Sequence, residues 1–247
     1  MAGGGLERRG VVVGLGATGL ALLLVAGCGP VPGNPQPATY TDPPAVPVVT
    51  DPPRSDEADP AVRALGRLIA REDLTFHVVE TVSTTGGGAS ATIELDVAGS
   101  DFSALMDIPG SKAIELRHVG GVTFARMGKG DWRAGLLEDK ILDDLANPWL
   151  YLCWLDDLEY TGPATDPADG LVLACRKPYT YQTLTMRQEG NVGRIESLTL
   201  VLTPDGLPVR MELSGTGPTL ATRSETFTAT YVFSRVGERI VIKVPKR

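Results

Sequence analysis

Histidine is scarce in this chain of 247 residues. His77 and His118 stand alone, with no second histidine or cysteine at metal-ligand spacing, so no zinc-type site can be read from the pattern. Each lies in a stretch of alternating apolar residues, where a satisfied structural imidazole is the ordinary case. Other catalytic signatures are missing too. No serine occupies a nucleophile elbow, and no glycine-rich phosphate loop precedes a helix, since Gly86-Gly87-Gly88 reads as a hairpin tip. The carboxylate pairs Asp143/Asp144 and Asp156/Asp157 are sequence neighbours, so on a helix they point about 100° apart and share no proton. Asp166-Pro167-Ala168-Asp169-Gly170 offers two carboxylates in one loop, a weak calcium cage that reads better as a turn. The expectation is no catalytic residue, no metal and no cofactor. Positive charge is short as well: 23 basic residues face 30 acidic ones, a net charge of −7. That balance excludes nucleic-acid binding through phosphate contacts and attachment to anionic lipid through a basic patch.

Long apolar runs are limited to one, Val11 to Ala26. It follows Arg8-Arg9 and ends in Val25-Ala26-Gly27-Cys28, so a basic region, an apolar region and small residues come in the order of a secretory signal peptide. The ending resembles a bacterial lipobox. That resemblance implies that the Cys28 thiol receives a diacylglycerol and becomes the N-terminus once residues 1–27 are removed. The alternative is an uncleaved anchor helix, but the run is shorter than the roughly 20 residues a span requires and is rich in glycine. Both general secretory and twin-arginine export fit Arg8-Arg9. The expected location is the extracytoplasmic face of the cell membrane, held there by a lipid anchor.

Of the three cysteines, lipidation takes one and leaves Cys153 and Cys175. In an oxidising compartment such a pair is most simply a disulfide, which would stabilise the fold by about 3 kcal/mol in the chain-entropy model; two free buried thiols are the alternative. From Cys28 to residue 58 prolines recur among Gly, Thr and Asp with no apolar period. Such a stretch buries too little surface to order itself and reads as an extended spacer, roughly 30 residues reaching at most some 90 Å.

A single folded domain is expected over residues 59–247. It opens with Asp59-Pro60 and an amphipathic helix from Ala61 to Arg71, with Val62, Leu65, Leu68 and Ile69 on one face and Arg63, Arg67 and Arg71 on the other. From Leu74 the period becomes two. Strands are expected around Phe76–Val82, Ile93–Val97, Phe102–Ile108, Ile114–His118 and Val122–Arg126 onward to Trp132, each closed by Gly, Pro or Asp, as in an antiparallel meander. Leu136 to Tyr160 returns to helical spacing around Pro148 and carries Trp149 and Trp154. Strands then resume at Leu171–Cys175, Tyr179–Met186, Ile195–Leu202, Val209–Leu213, Phe227–Phe233 and Ile240–Val244.

This succession includes Leu200-Val201-Leu202-Thr203-Pro204-Asp205-Gly206-Leu207-Pro208-Val209-Arg210 and the closing Tyr231-Val232-Phe233-Ser234-Arg235-Val236-Gly237 with Val241-Ile242-Lys243-Val244-Pro245. It resembles the LppX/LprAFG group of actinobacterial lipoproteins and, more distantly, the LolA/LolB carriers. The resemblance implies a mainly β, α+β fold in which a large curved antiparallel sheet wraps helices as a half-barrel around an apolar cavity. It also implies a function: binding lipid or lipoglycan acyl chains and carrying them across the envelope. The paired cysteines and the tryptophan-bearing insert depart from the group.

If one sheet face is covered, the inward set must be the apolar one. That selects Ile93, Leu95, Met106, Ile108, Ile114, Leu116, Val122, Phe124, Leu198, Leu200, Met211, Leu213, Phe227 and Tyr231 as cavity lining. An envelope protein-interaction or scaffold role with a filled core and no ligand would give the same pattern, with a protein partner in place of the lipid.

Overall fold

A computed structural model describes residues 59–85, 90–135, 145–166, 170–182, 186, 190–217 and 225–246. The lipobox with Cys28, the spacer, the Gly86-Gly87-Gly88 hairpin tip, Asp143/Asp144 and Asp169 lie outside them.

Helix α1, Asp59–Ile69, starts where Pro60 sits in the first turn, a position whose backbone N–H has no helical partner to lose. It buries Ala61, Val62 and Leu65, while Arg63 and Arg67 face outward. Its end falls before Arg71, which instead forms an exposed ion pair with Asp73.

Twelve strands then build one open antiparallel sheet: β1 (Thr75–Thr84), β2 (Ala91–Ala98), β3 (Asp101–Asp107), β4 (Ile114–Val119), β5 (Val122–Met127), β6 (Arg133–Ala134), β7 (Leu158–Pro163), β8 (Leu171–Cys175), β9 (Tyr179–Tyr181), β10 (Gly193–Leu202), β11 (Pro208–Gly217) and β12 (Glu225–Ser234). Their order is β6-β5-β4-β3-β2-β1-β12-β11-β10-β8-β7, with β9 pairing beside β8 on β10. The chain therefore lays down two meanders, and the joint between them is the β1–β12 ladder, where the first strand pairs with the last. Because the ends β6 and β7 do not pair with each other, the sheet is not a closed barrel.

Registry fixes which residues share the covered face. One row crosses the molecule as Ile114, Met106, Ile93, Glu80, Tyr231, Met211, Leu200 and Leu173. A parallel row runs Leu116, Ala104, Leu95, Val78 and Phe233. All of these are buried. Covering them are α1 and the segment from Leu145 to Asp157. Trp149 stacks on Phe233 with ring centroids 5.0 Å apart and meets Phe76 edge-on. At the other side α1 is held by close approach to the β10–β11 turn: a Cβ on Gly206, whose φ is 81°, would lie 2.6 Å from the Ala61 carbonyl oxygen.

Four expectations are corrected. First, Val122 and Phe124 do not face inward: Val122 is 45% exposed, and the buried residues of β5 are Thr123 and Ala125. The cause is the two-residue Gly120-Gly121 turn, both residues at positive φ, which pairs Val119 with Val122 and so places Ala125 opposite the inward Leu116.

Second, the helical spacing expected from Leu136 to Tyr160 does not give an α-helix at Trp149 or Trp154; residues 136–144 lie outside the described residues. Leu145 and Ala146 are helical, but Trp149 lies in a single 3-10 turn, Pro148–Tyr151, begun by the Asn147 side chain accepting from the Trp149 N–H. Leu155–Asp157 forms another such turn, and from Leu158 the alternation of buried and open residues makes β7.

Third, the ladder after Tyr179 stops at Tyr181, because its partner β10 begins at Gly193, directly opposite. Met186 is helical. Fourth, Ile240–Val244 is not a strand. It pairs with none of the twelve strands, Val241 and Val244 are exposed, and β12 just before it is already paired on both sides; Arg117 donates to the Lys243 carbonyl at 3.1 Å.

Candidate functional site

Glu80 occupies the centre of the covered face, flanked in its row by Ile93 on β2 and Tyr231 on β12. Its carboxylate accepts a hydrogen bond from the Tyr231 hydroxyl at 2.8 Å. Burial in this apolar layer disfavours the charged form and pushes the carboxyl up to about 7, an effect the Tyr231 donor partly offsets. Burial also raises the Tyr231 hydroxyl well above the usual tyrosine range, and the Glu80 carboxylate adds to this. Tyr231 leads to a ring cluster: Tyr151 lies 6.4 Å from it and 5.2 Å from Tyr181, centroid to centroid. Tyr179 donates to the Tyr151 carbonyl, tying β9 to the first 3-10 turn. Burial raises the hydroxyls of Tyr179 and Tyr181 as well.

Sequence reasoning missed Glu80, although a signal existed. In β1 the inward series Phe76, Val78, Val82 skips position 80, and a carboxylate in an apolar series is a buried group in need of a partner.

Beyond the tyrosines, Cys153 and Cys175 are joined by a disulfide with Cα atoms 6.2 Å apart, pinning the insert to β8. Beside it opens a cavity of about 290 Å³ lined by Leu150, Leu152, Cys153, Trp154, Asp157, Lys177, Tyr179, Thr180 and Tyr181. A second cavity, of about 300 Å³, lies among outward-facing residues of β1–β4, including His77, Glu94, Asp96, Ser103, Glu115 and Arg117. Here His77 Nδ1 is 3.0 Å from Asp96 Oδ1. The cross-strand order is His77, Asp96, Ser103, so the carboxylate stands between imidazole and hydroxyl. In a Ser-His-Asp relay the histidine must be in the middle. Glu115 is taken by Arg126 at 2.5 Å. Among the described residues no group of three His, Cys, Asp or Glu side chains is placed to hold a metal ion. His118 stacks on Phe102 and shares a hydrogen bond with Thr123.

Of the residues selected as cavity lining, Ile93, Leu95, Met106, Ile108, Ile114, Leu116, Leu198, Leu200, Met211, Leu213, Phe227 and Tyr231 are all buried. The two cavities just described touch only Leu116 among them.

No protein-family model matches the chain, and no curated protein sequence matches it. Solved structures with a measure of likeness include a DUF1329 family protein from Desulfovibrio piger, at 9% identity and a TM-score of 0.28, over 76% of this chain and 96% of that one. Another is the MucA/MucB complex of Pseudomonas aeruginosa, at 19% identity and a TM-score of 0.33, over 69% of this chain. The match spans 56% of that Pseudomonas chain. Likeness at this level decides nothing about function, which has to be argued from the residues.

Proposed function

We propose that this protein is a lipid-anchored, extracytoplasmic envelope protein that takes up an apolar ligand between its sheet and the covering segment 145–157, and carries it across the envelope. The observation that supports this most is the covered face itself. An open sheet presents rows of mostly aliphatic and methionine side chains, interrupted at the β1–β12 joint by Glu80 and Tyr231, and the cover over them consists of α1 and short turns rather than a second sheet. Anchoring follows from the lipobox reading of Cys28, and reach from the spacer. Binding would come from buried methylenes at about 0.8 kcal/mol each, with Met106 and Met211 adapting to chains of variable shape. Half-barrel curvature around a ligand belongs to the same proposal.

One observation favours a second reading. Leu173, Ile195, Leu200, Leu202 and Met211 are wholly inaccessible, as in a filled core, which suits a scaffold whose work is done on an outer surface with a protein partner. Extraction of the purified chain, produced with Cys28 unacylated, into organic solvent followed by mass spectrometry separates the two. Stoichiometric co-purified lipid supports the carrier; a clean extract, with no uptake from added fatty-acid or phospholipid vesicles, supports the scaffold.

A further inference from the structure

Trp154 is 82% exposed, an unusual setting for the most costly apolar side chain to leave in water. It does not sit on a loose loop. It lies between two 3-10 turns, next to the disulfide at Cys153, and its carbonyl accepts from the Asp157 N–H at 2.8 Å. The facing wall, Lys177 to Tyr181, is bound to the same unit: the Arg176 N–H donates to the Asp157 carbonyl at 3.0 Å, and Tyr179 donates to the Tyr151 carbonyl. The cavity between these walls is therefore preformed, and a ligand would lose little free energy ordering it. At about 290 Å³ it stands at the small end of ligand pockets, which begin at about 300 Å³.

Its chemistry is selective. Among the described residues, neither Asp157 nor Lys177 has a side-chain partner, although both line the cavity. A cationic ligand would be attracted to Trp154 and Asp157 but repelled by Lys177, and an anionic one would meet the reverse conflict. A neutral polyhydroxyl ligand meets neither, because a hydroxyl donates to a carboxylate and accepts from an ammonium. An exposed indole adds an apolar platform for a ring with one C–H face. We propose that this cavity binds a neutral pyranose ring of a carbohydrate, stacked on Trp154 and hydrogen-bonded through its hydroxyls to Asp157, Lys177 and Thr180. This site shares the covering segment 145–157 with the lipid-uptake proposal above but none of the cross-strand rows beneath it, so a failure of lipid uptake leaves it standing.

Isothermal titration calorimetry of the purified full chain with maltotetraose, mannotetraose and chitotetraose tests the assignment, with tetramethylammonium and inorganic phosphate as charged controls. At least one oligosaccharide is expected to bind saturably, with affinity about tenfold weaker in Trp154→Ala and largely restored in Trp154→Phe. Because Trp154 is exposed, the variant should melt as the parent does; Asp157→Asn, expected to weaken binding in the same direction, serves if it does not. The proposal is overturned if none of the three oligosaccharides saturates up to tens of millimolar, if Trp154→Ala binds them unchanged, or if a charged control binds in a Trp154-dependent way instead.

Discussion

Tyr231 donates a hydrogen bond to Glu80 directly across the β1–β12 ladder, at 2.8 Å, on the covered face of the sheet. That ladder joins the first strand of the fold to the last, so the one carboxylate in the row lies where the two meanders meet. Apolar neighbours leave Glu80 little solvation, and it is held nearer its neutral form than an exposed glutamate would be.

A pH dependence of stability follows, and its sign is fixed. The folded-state value of about 7 is raised above the ordinary 4.5, so the native state binds this proton more tightly than the unfolded chain. The contribution of Glu80 to stability is full below pH 4.5, declines as pH rises, and is lost once pH passes about 7, a change of about 3 kcal/mol. Glu80→Gln removes the titration while keeping an acceptor for Tyr231. Denaturant melts at pH 4.5, 6 and 8 should show the parent losing stability across this range relative to the variant, with the variant the more stable at pH 8. Parallel curves for the two proteins would mean that Glu80 does not titrate between these limits.

The strands of this fold were legible because a half-buried strand writes its period into the sequence. Phe76, Val78 and Val82 in β1 and Leu198, Leu200 and Leu202 in β10 show it. What could not be read is set by partners distant in sequence. The β5 face depends on whether two or three residues make the Gly120-Gly121 turn, and one residue reverses it. Ile240–Val244 has strand composition, but β12 just before it is already paired on both sides and the open edges of the sheet lie far along the strand order, at β6 and β7. The Glu80–Tyr231 bond links residues 151 positions apart, and only pairing β1 with β12 reveals it. The wall around Trp154 likewise depends on Cys153 meeting Cys175, which an oxidising compartment and the cysteine count suggest but do not fix.

Removing the disulfide should loosen the insert. Cys175→Ser opens a cross-link spanning 22 residues and is expected to lower stability by about 2–5 kcal/mol. Differential scanning calorimetry with and without reductant checks it: the parent in reductant should approach the melting temperature of the variant, which should itself be insensitive to reductant. A parent whose melting point ignores reductant while both thiols become labelled would contradict this.

Anchoring is a separate matter from folding. Cys28→Ala should leave the chain in the soluble extracytoplasmic fraction or as an uncleaved precursor, because acyl chains are the expected tether and among the described residues no helix is long and apolar enough to cross a membrane. Fractionation followed by N-terminal sequencing reads the outcome. A correctly cleaved variant that stays with the membrane would remove lipidation as the anchor.

Leu116 decides between a carrier and a filled core. It lies on β4 between Ala104 and Ala125 in the cross-strand row, and only 1% of its surface is accessible. Small neighbours on both sides give a larger side chain some lateral room, so Leu116→Trp tests what lies above the sheet rather than within it. If the layer above is fixed protein, the indole overpacks it and stability should fall by about 1–3 kcal/mol. If that layer is a cover that moves aside for a ligand, the variant should fold with near-parent stability while uptake of a fluorescent fatty acid is lost, because the indole fills the volume the chain would take. The carrier reading predicts this second outcome. A destabilised variant that never binds fatty acid, from a parent that does not bind it either, would leave the filled core as the function-bearing form. A stable variant with unchanged uptake would place the ligand away from β4 altogether.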